Sequence, residues 1–485
     1  MRRTRLATMV SLFSILAACG GGGGGDSSSG GGAPITATPS PSPTPTPTQT
    51  TAGCSLRERQ DWVLGQMRDW YLFPELLPAS LDPSGFSTVQ AYIDALAATA
   101  RAQSKDRFFT YITSIAEENA FFSSGSTAGF GIRLSYDTAG GRLFVVEAFE
   151  GAPALAAGID RATEILAIGT SSATLRTVAS IFAAEGAAGV AAALGPSDPG
   201  VTRVLRITSG GVEREVTVTK ADFSITPVSS RYGVKVLDDN GSKVGYLNLR
   251  TFISTADPAL RAAFDTFRSQ GITRVIVDFR YNGGGLVSIA ELMGDLMGAN
   301  RSGSVFSYTT FNAKQSANNE TDFFAAQPQS IAPIKLAFIG TKGTASASEL
   351  VINAFTPYLR ANSALIGSNT FGKPVGQIAR DRSQCDDRLR VVAFKTENAN
   401  RQGDYYTGLA SKVEASCQAA DDFTRPLGDP SEASVKVSLD FLAGRACTPI
   451  ASSSGQTTLG LRDGGRELLQ STQPGTAERE VPGLY

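Results

Sequence analysis

The alternation of apolar and polar positions divides the chain into three kinds of segment. Leu56, Val63, Met67, Trp70 and Tyr71 recur at the spacing of one helical face, and Ser55 with Glu58 forms a capping box ahead of them. A second helical stretch covers about 89–102, so residues 54–112 read as a small helical domain. From Gly129 the period falls to that of strands. Gly129–Leu134, Leu143–Val146 and Glu164–Gly169 fit it, and Val204–Ile207 with Glu213–Val218 reads as a hairpin around Gly210 and Gly211. Between them Ala152–Ile159 reads as a short helix with Pro153 in its first turn and Gly158 at its end. From Val244 onward strands and helices alternate. The strands are Val244–Leu249, the continuous apolar run Arg274–Phe279, Ile334–Ile339 and Ala364–Gly367. The helices are one started by Asp257 and Pro258, with Leu260, Phe264 and Phe267 on a single face, then Leu286–Met297 and Glu349–Phe355. Strands separated by helices predict a mostly parallel α/β sheet.

The first fifty residues obey none of these periods. Arg2, Arg3 and Arg5 precede a short apolar run, 6–18, that is too short to span a bilayer and reads as an export leader. The run ends Leu16-Ala17-Ala18-Cys19, which resembles the lipobox of bacterial lipoproteins. That resemblance implies a lipid on Cys19. Gly20 then implies the outer membrane, because an aspartate there would mark inner-membrane retention. Gly20–Gly32 is nearly all Gly and Ser, and 33–51 alternates Pro with Thr and Ser, so 20–53 reads as a tether passing from flexible to stiff.

Composition narrows the chemistry. Lys and Arg total 44 against 45 Asp and Glu, a balance that argues against a general polyanion or nucleic-acid binder. There are no histidines. A Ser/His/Asp triad, a Cys/His dyad and a His-ligated zinc site are therefore impossible within this chain, and acid–base work falls to Lys, Asp, Glu, Tyr or Cys. After Cys19 the cysteines are Cys54, Cys385, Cys417 and Cys447. An even number in an exported chain suggests disulfides, with three pairings open, and the absence of a C-x-x-C pair argues against a metal site.

Three loops at the C-terminal ends of predicted strands carry chemistry, the place where open α/β sheets hold their sites. Asp278-Phe279-Arg280-Tyr281-Asn282-Gly283-Gly284-Gly285 leaves backbone amides at a helix start, suited to an oxyanion. Gly343-Thr344-Ala345-Ser346-Ala347-Ser348-Glu349 puts serines at a strand-to-helix turn, where they serve as helix caps or as a nucleophile. Gly367–Gln377 contains G-x-x-x-x-G-K, but Pro374 replaces the hydroxyl a phosphate loop needs and removes an amide, so no nucleotide site is expected. Lys373 in this loop becomes a general base if its pKa falls from about 10.4.

Taken together, the three blocks resemble the carboxyl-terminal processing, or tail-specific, serine protease family. The first is similar to D-[LF]-R-x-N-x-G-G, the second to G-[ST]-A-S-A-S-E, and Thr370-Phe371-Gly372-Lys373 to T-[FY]-G-K. The region from Gly129 resembles the family's PDZ domain, although Ala162-Thr163 stands where Gly-Asp is usual. The resemblance implies a crotonase- and ClpP-like α/β core over 226–447, a PDZ-like β-domain over 113–225 and a tail, 448–485, with no assigned role. It implies Ser346 as nucleophile, Lys373 as base, Gln377 as the residue orienting that base, and the amides of Gly284 and Ala347 as oxyanion hole. The spacing from Ser346 to Lys373 exceeds the family's by about two residues, which fits an insertion around 360–363 and keeps Ser348 in reserve. It further implies that Gly129, Phe130, Gly131 and Ile132 bind the C-terminus of a protein or peptide substrate by strand addition. No metal or cofactor is implied. A catalytically inactive, lipid-anchored peptide holder or envelope scaffold is the alternative. Replacing Cys19 by Ala is expected to release the chain from the membrane fraction; retention there would remove the lipid anchor.

Overall fold

The computed structural model describes residues 51–137, 139, 141–451, 465–471 and 474–485. The leader, Cys19 and the spacer up to residue 50 lie outside the described residues. Among the described residues no helix is long and apolar enough to cross a membrane.

The alternating half of the sequence forms a six-stranded open sheet. Its order is Val234–Asp239, Ser242–Asn248, Arg274–Asp278, Lys335–Gly340, Ser363–Gly367 and Ala415–Gln418. The first pair is antiparallel and the other four pairs are parallel. The strands alternate between two apolar layers. Leu247, Val275, Val277, Leu336, Phe338 and Leu365 join the layer of helices Ala256–Ser269, Val287–Met297 and Ala347–Leu359. Tyr246, Ile276, Ala337, Ile339, Ala364 and Ile366 join the layer of helix Ala433–Leu442. This period of two, buried on both faces, explains why the strands read as unbroken apolar runs.

Helices Leu56–Trp70 and Val89–Leu96 lie where the apolar spacing puts them, and the capping box of Ser55 and Glu58 is formed. They pack on a five-stranded antiparallel sheet centred on Asp387–Glu397. That strand pairs with Tyr111–Ser114 and Val305–Phe311 at its two ends and with Val375–Arg382 along its length. It therefore ties the N-terminal helices to the segment that follows Lys373.

A third, seven-stranded antiparallel sheet contains Ile132–Asp137, Arg142–Ala148, Glu164–Gly169, Thr202–Ser209 and Val212–Thr219. The hairpin turns at Gly210 and Gly211, as the sequence suggests. Ala162 sits at φ +76°, a strained angle for a residue with a β-carbon. Helix Val178–Leu194, which the apolar pattern does not predict, packs against this sheet. Its sequence is almost uniformly Ala-rich, so it presents no stripe, and Gly186 interrupts it at φ +67°.

The pairing of cysteines, open in the sequence, resolves as Cys54–Cys385 and Cys417–Cys447. The first joins positions 331 residues apart and ties the segment before helix Leu56–Trp70 to the approach of the central strand. Loss of such a loop closure costs typically about 2–4 kcal/mol. Cys54→Ser with Cys385→Ser is expected to lower the thermal midpoint clearly more than Cys417→Ser with Cys447→Ser, whose loop spans 30 residues; calorimetry of both double variants checks it.

Candidate active site

Three turns converge beyond the C-terminal ends of the parallel strands. The first leaves strand Arg274–Asp278 and rests on buried charge. Asp278 accepts from Tyr246 Oη at 2.8 Å and Arg280 Nη2 at 2.7 Å, and Arg280 Nη1 reaches Glu432 at 2.8 Å and Asp421 at 3.2 Å. Asp278, Arg280 and Glu432 are all buried, so each charge has its partner where water is absent. Asn282 then fastens the turn. Its Nδ2 donates to Leu249 O at 2.8 Å, and its carbonyl accepts from Ala345 N at 3.0 Å and Ser348 Oγ at 3.1 Å.

The second turn carries Ser346, partly buried, at φ +54°, a strained angle at the start of helix Ala347–Leu359. Gly284 faces it at φ +121°. A β-carbon on Gly284 would lie 2.7 Å from Ser346 Cβ and 3.2 Å from Ser346 Oγ, so only glycine leaves the space before that hydroxyl open. The Ala347 amide lies beside the same space, 3.1 Å from that β-carbon position. Ser348, the reserve nucleophile, is fully buried with its hydroxyl given to Asn282 O.

The third turn brings Lys373. Glu349, fully buried, accepts from Ser346 N at 3.1 Å, Gly372 N at 2.7 Å and Lys373 N at 2.7 Å, so one carboxylate holds the backbones of both candidate catalytic residues. Burial pushes Glu349 above the usual carboxylate range, and its hydrogen bonds oppose that rise. Arg107 donates to Phe371 O at 2.7 Å and Gly372 O at 2.6 Å from the outside. Lys373 Nζ donates to Gln377 Oε1 at 2.7 Å, and Gln377 Nε2 donates to Phe109 O. An irregularity in the strand pairing between Gly376 and Gln377 marks the place where the strand re-aims that side chain. Phe109 is itself fixed by Asp106, which accepts from Phe109 N at 2.8 Å and Thr110 N at 3.1 Å.

Burial lowers the Lys373 pKa below its ordinary value; nearby Glu480 opposes this and Arg479 and Arg390 reinforce it. Ser346 and Lys373 are thus held on adjoining turns, but Ser346 Oγ makes no hydrogen bond to Lys373 Nζ, whose partner is Gln377. Gly284 N likewise donates to Asn282 Oδ1 at 2.9 Å rather than standing free, because the turn closes on its own side chain. Lys373, Gly283 and Ala345 line a cleft of about 1530 Å³ that also takes in Phe108 and Tyr111 from the N-terminal region.

Gly129, Phe130, Gly131 and Ile132 lead into the seven-stranded sheet, with Phe130 and Ile132 buried. The amides of Gly131 and Ile132 donate to Tyr485 O at 2.8 and 3.2 Å. Where an insertion is expected, around 360–363, Arg360–Asn362 form a short 3-10 turn and Ser363 opens the next strand. The bridging role of Glu349 is not legible from its place in a capping box, and nothing local marks Arg107 or Asp106 as partners of the three turns.

Residues 243–405 match the model of peptidase family S41, and residues 58–111 match the peptidase S41 N-terminal domain. A carboxyl-terminal-processing protease of Picosynechococcus is 30% identical over 260 residues, covering 52% of this chain and 55% of that protein. A protein of the same name from Synechocystis is 28% identical over 341 residues, covering 68% of this chain and 72% of its own length. The chain thus spans little more than half of the first relative. In fold it is similar to the crystal structure of a Bacteroides fragilis protein assigned to the S41 proteases, at a TM-score of 0.60 and 23% identity, covering 79% of this chain and 97% of that one. Two matched family regions, the named relatives and the shared mixed α/β fold agree in what this chain is similar to: peptidase family S41 and the carboxyl-terminal-processing proteases.

Proposed function

We propose that the chain is a serine endopeptidase of exported proteins, working through a Ser346/Lys373 dyad. The observation that carries this is the single carboxylate of Glu349 holding the backbones of both residues, with the pKa of Lys373 depressed by burial. In the reaction, neutral Lys373 Nζ takes the proton of Ser346 Oγ as that oxygen bonds to the peptide carbonyl carbon. The protonated amine then gives the proton to the leaving nitrogen as the C–N bond breaks, and a water deprotonated by Lys373 hydrolyses the ester on Ser346. The Ala347 and Gly284 amides receive the oxyanion. For this the Gly284 amide exchanges Asn282 Oδ1 for the substrate oxygen, and Lys373 turns from Gln377 towards Ser346; catalytic hydrogen bonds commonly tighten only with substrate bound. Engagement of the Ser348 hydroxyl by Asn282 favours Ser346 as the nucleophile.

The finer reading assigns 113–225 to a PDZ-like module whose Gly129–Ile132 entry captures substrate C-termini, 226–447 to the protease core, and 54–112 to a helical domain that positions Gln377 through Phe109. It places the protein on the periplasmic side of the outer membrane, anchored by a lipid on Cys19. No metal or cofactor takes part.

Ser346→Ala and Lys373→Ala are each expected to lower the cleavage rate of an unfolded, C-terminally tagged protein by at least about a thousandfold, while Ser348→Ala stays within about tenfold. Background-level cleavage equal in wild type and both dyad variants would reject the peptidase reading. Because only the neutral amine is a base, the rate should rise with pH and level off at an apparent pKa below the ordinary lysine value. A rate profile still climbing above about pH 10.4 would remove Lys373 as the base.

A further inference from the structure

The last residues of the sequence, left without a role above, lie across both halves of the candidate site. Strand Arg466–Leu468 pairs antiparallel with the second half of strand Ile132–Asp137, and Leu484 bridges Arg133 in its first half. Leu134 N donates to Gly483 O at 2.8 Å and Tyr485 N to Ile132 O at 2.9 Å, which completes the ladder begun by the Gly131 and Ile132 amides on Tyr485 O. The edge that a peptide would use for strand addition is therefore already paired. The Tyr485 ring joins the apolar cluster of Phe130, Ile132, Val190 and Leu194, and a β-carbon on Gly129 would lie 2.8 Å from Tyr485 C. The Tyr485 hydroxyl, however, is buried without a hydrogen-bond partner. A site that accepts the ring and leaves its hydroxyl unpaired holds this occupant less well than one ending in a purely apolar side chain.

Upstream, helix Thr476–Glu480 closes on the glycine turn. Glu480 O accepts from Gly283 N at 3.0 Å, and a β-carbon on Gly283 would lie 2.7 Å from Arg479 O, so nothing fits between the two segments. Arg479 donates to Phe108 O at 3.2 Å and stacks on Tyr111 at 3.9 Å, on the far wall of the same cleft. The buried Glu480 carboxyl faces Lys373 electrostatically and favours the protonated amine, which is no base.

We propose that residues 475–485 are an intramolecular latch: Gly483–Tyr485 occupies the peptide groove at Gly131 and Ile132, Glu480 closes the glycine turn beside Lys373, and a substrate peptide must displace them before cleavage. The effect on rate rests on the peptidase reading; the competition for the groove does not.

The test compares the full chain, a chain ended after Gln470 and a full-length Leu484→Asp variant, all checked for folding by thermal melts. A fluorescent peptide copying residues 475–485 is titrated into each, and initial rates on an unfolded protein are measured with Ser346→Ala controls. The two opened variants are expected to bind the peptide about tenfold more tightly than the full chain and to cleave about tenfold faster, since the competent fraction sets both. Equal peptide affinity in all three folded proteins would overturn the latch, as would equal rates that exceed the Ser346→Ala background. Tighter peptide binding by the opened variants, with no cleavage above that background in any of them, would keep the latch in the groove and reject the peptidase reading. Should both opened variants misfold, Tyr485→Phe decides, because it removes only the unpaired hydroxyl. It is expected to slow cleavage and weaken peptide binding in trans, and unchanged values for both would overturn the proposal.

Discussion

One buried carboxylate organises the site. Glu349 accepts three backbone N–H groups, one from the Ser346 turn and two from the Lys373 turn, in a position water does not reach. A lone carboxylate there would be costly, and the three donors are what make it tolerable. The same arrangement converts an electrostatic requirement into a geometric one. The two turns are 27 residues apart in sequence, yet neither can move without unpairing the charge. Ser346 and Lys373 stay on neighbouring walls even though their side chains are not bonded to each other.

A second buried layer supports the third wall. Asp278, Arg280 and Glu432, with Asp421 and Tyr246, form a closed set of ion pairs and hydrogen bonds beneath the glycine turn. Removing one member would leave another charge unpaired in the interior, so the network acts as a unit. Its consequence is a turn whose backbone is rigid at Asn282 and open at Gly284, where the φ of +121° and the contact with Ser346 exclude any side chain. Preorganisation of this kind is the condition under which backbone amides stabilise developing charge effectively.

The N-terminal region enters the same argument through a relay rather than a wall. Asp106 fixes Phe109, the Phe109 carbonyl holds Gln377, and Gln377 holds the Lys373 amine, while Arg107 caps the carbonyls of Phe371 and Gly372. The central strand Asp387–Glu397 and the Cys54–Cys385 bond keep these distant segments in register. Helices that look like a separate small domain by periodicity are thereby part of what aims the candidate base.

Sequence alone determined the elements whose signal is local. The period of two in Arg274–Phe279 and the stripe of Leu260, Phe264 and Phe267 are written in consecutive residues, and the three Gly-rich and Ser-rich blocks are contiguous, so strand, helix and turn were legible, as was the absence of histidine chemistry. Helix Val178–Leu194 escaped because an Ala-rich face has no stripe to read. Tertiary structure alone decided which cysteines pair, that Ser348 spends its hydroxyl on Asn282, that Glu349 joins two turns, and that residues 483–485 return to the edge beside Gly131. The physical reason is common to all four. Each depends on a hydrogen bond or covalent bond between groups far apart along the chain, and no pattern in neighbouring residues records where a distant partner will lie once the layers have packed.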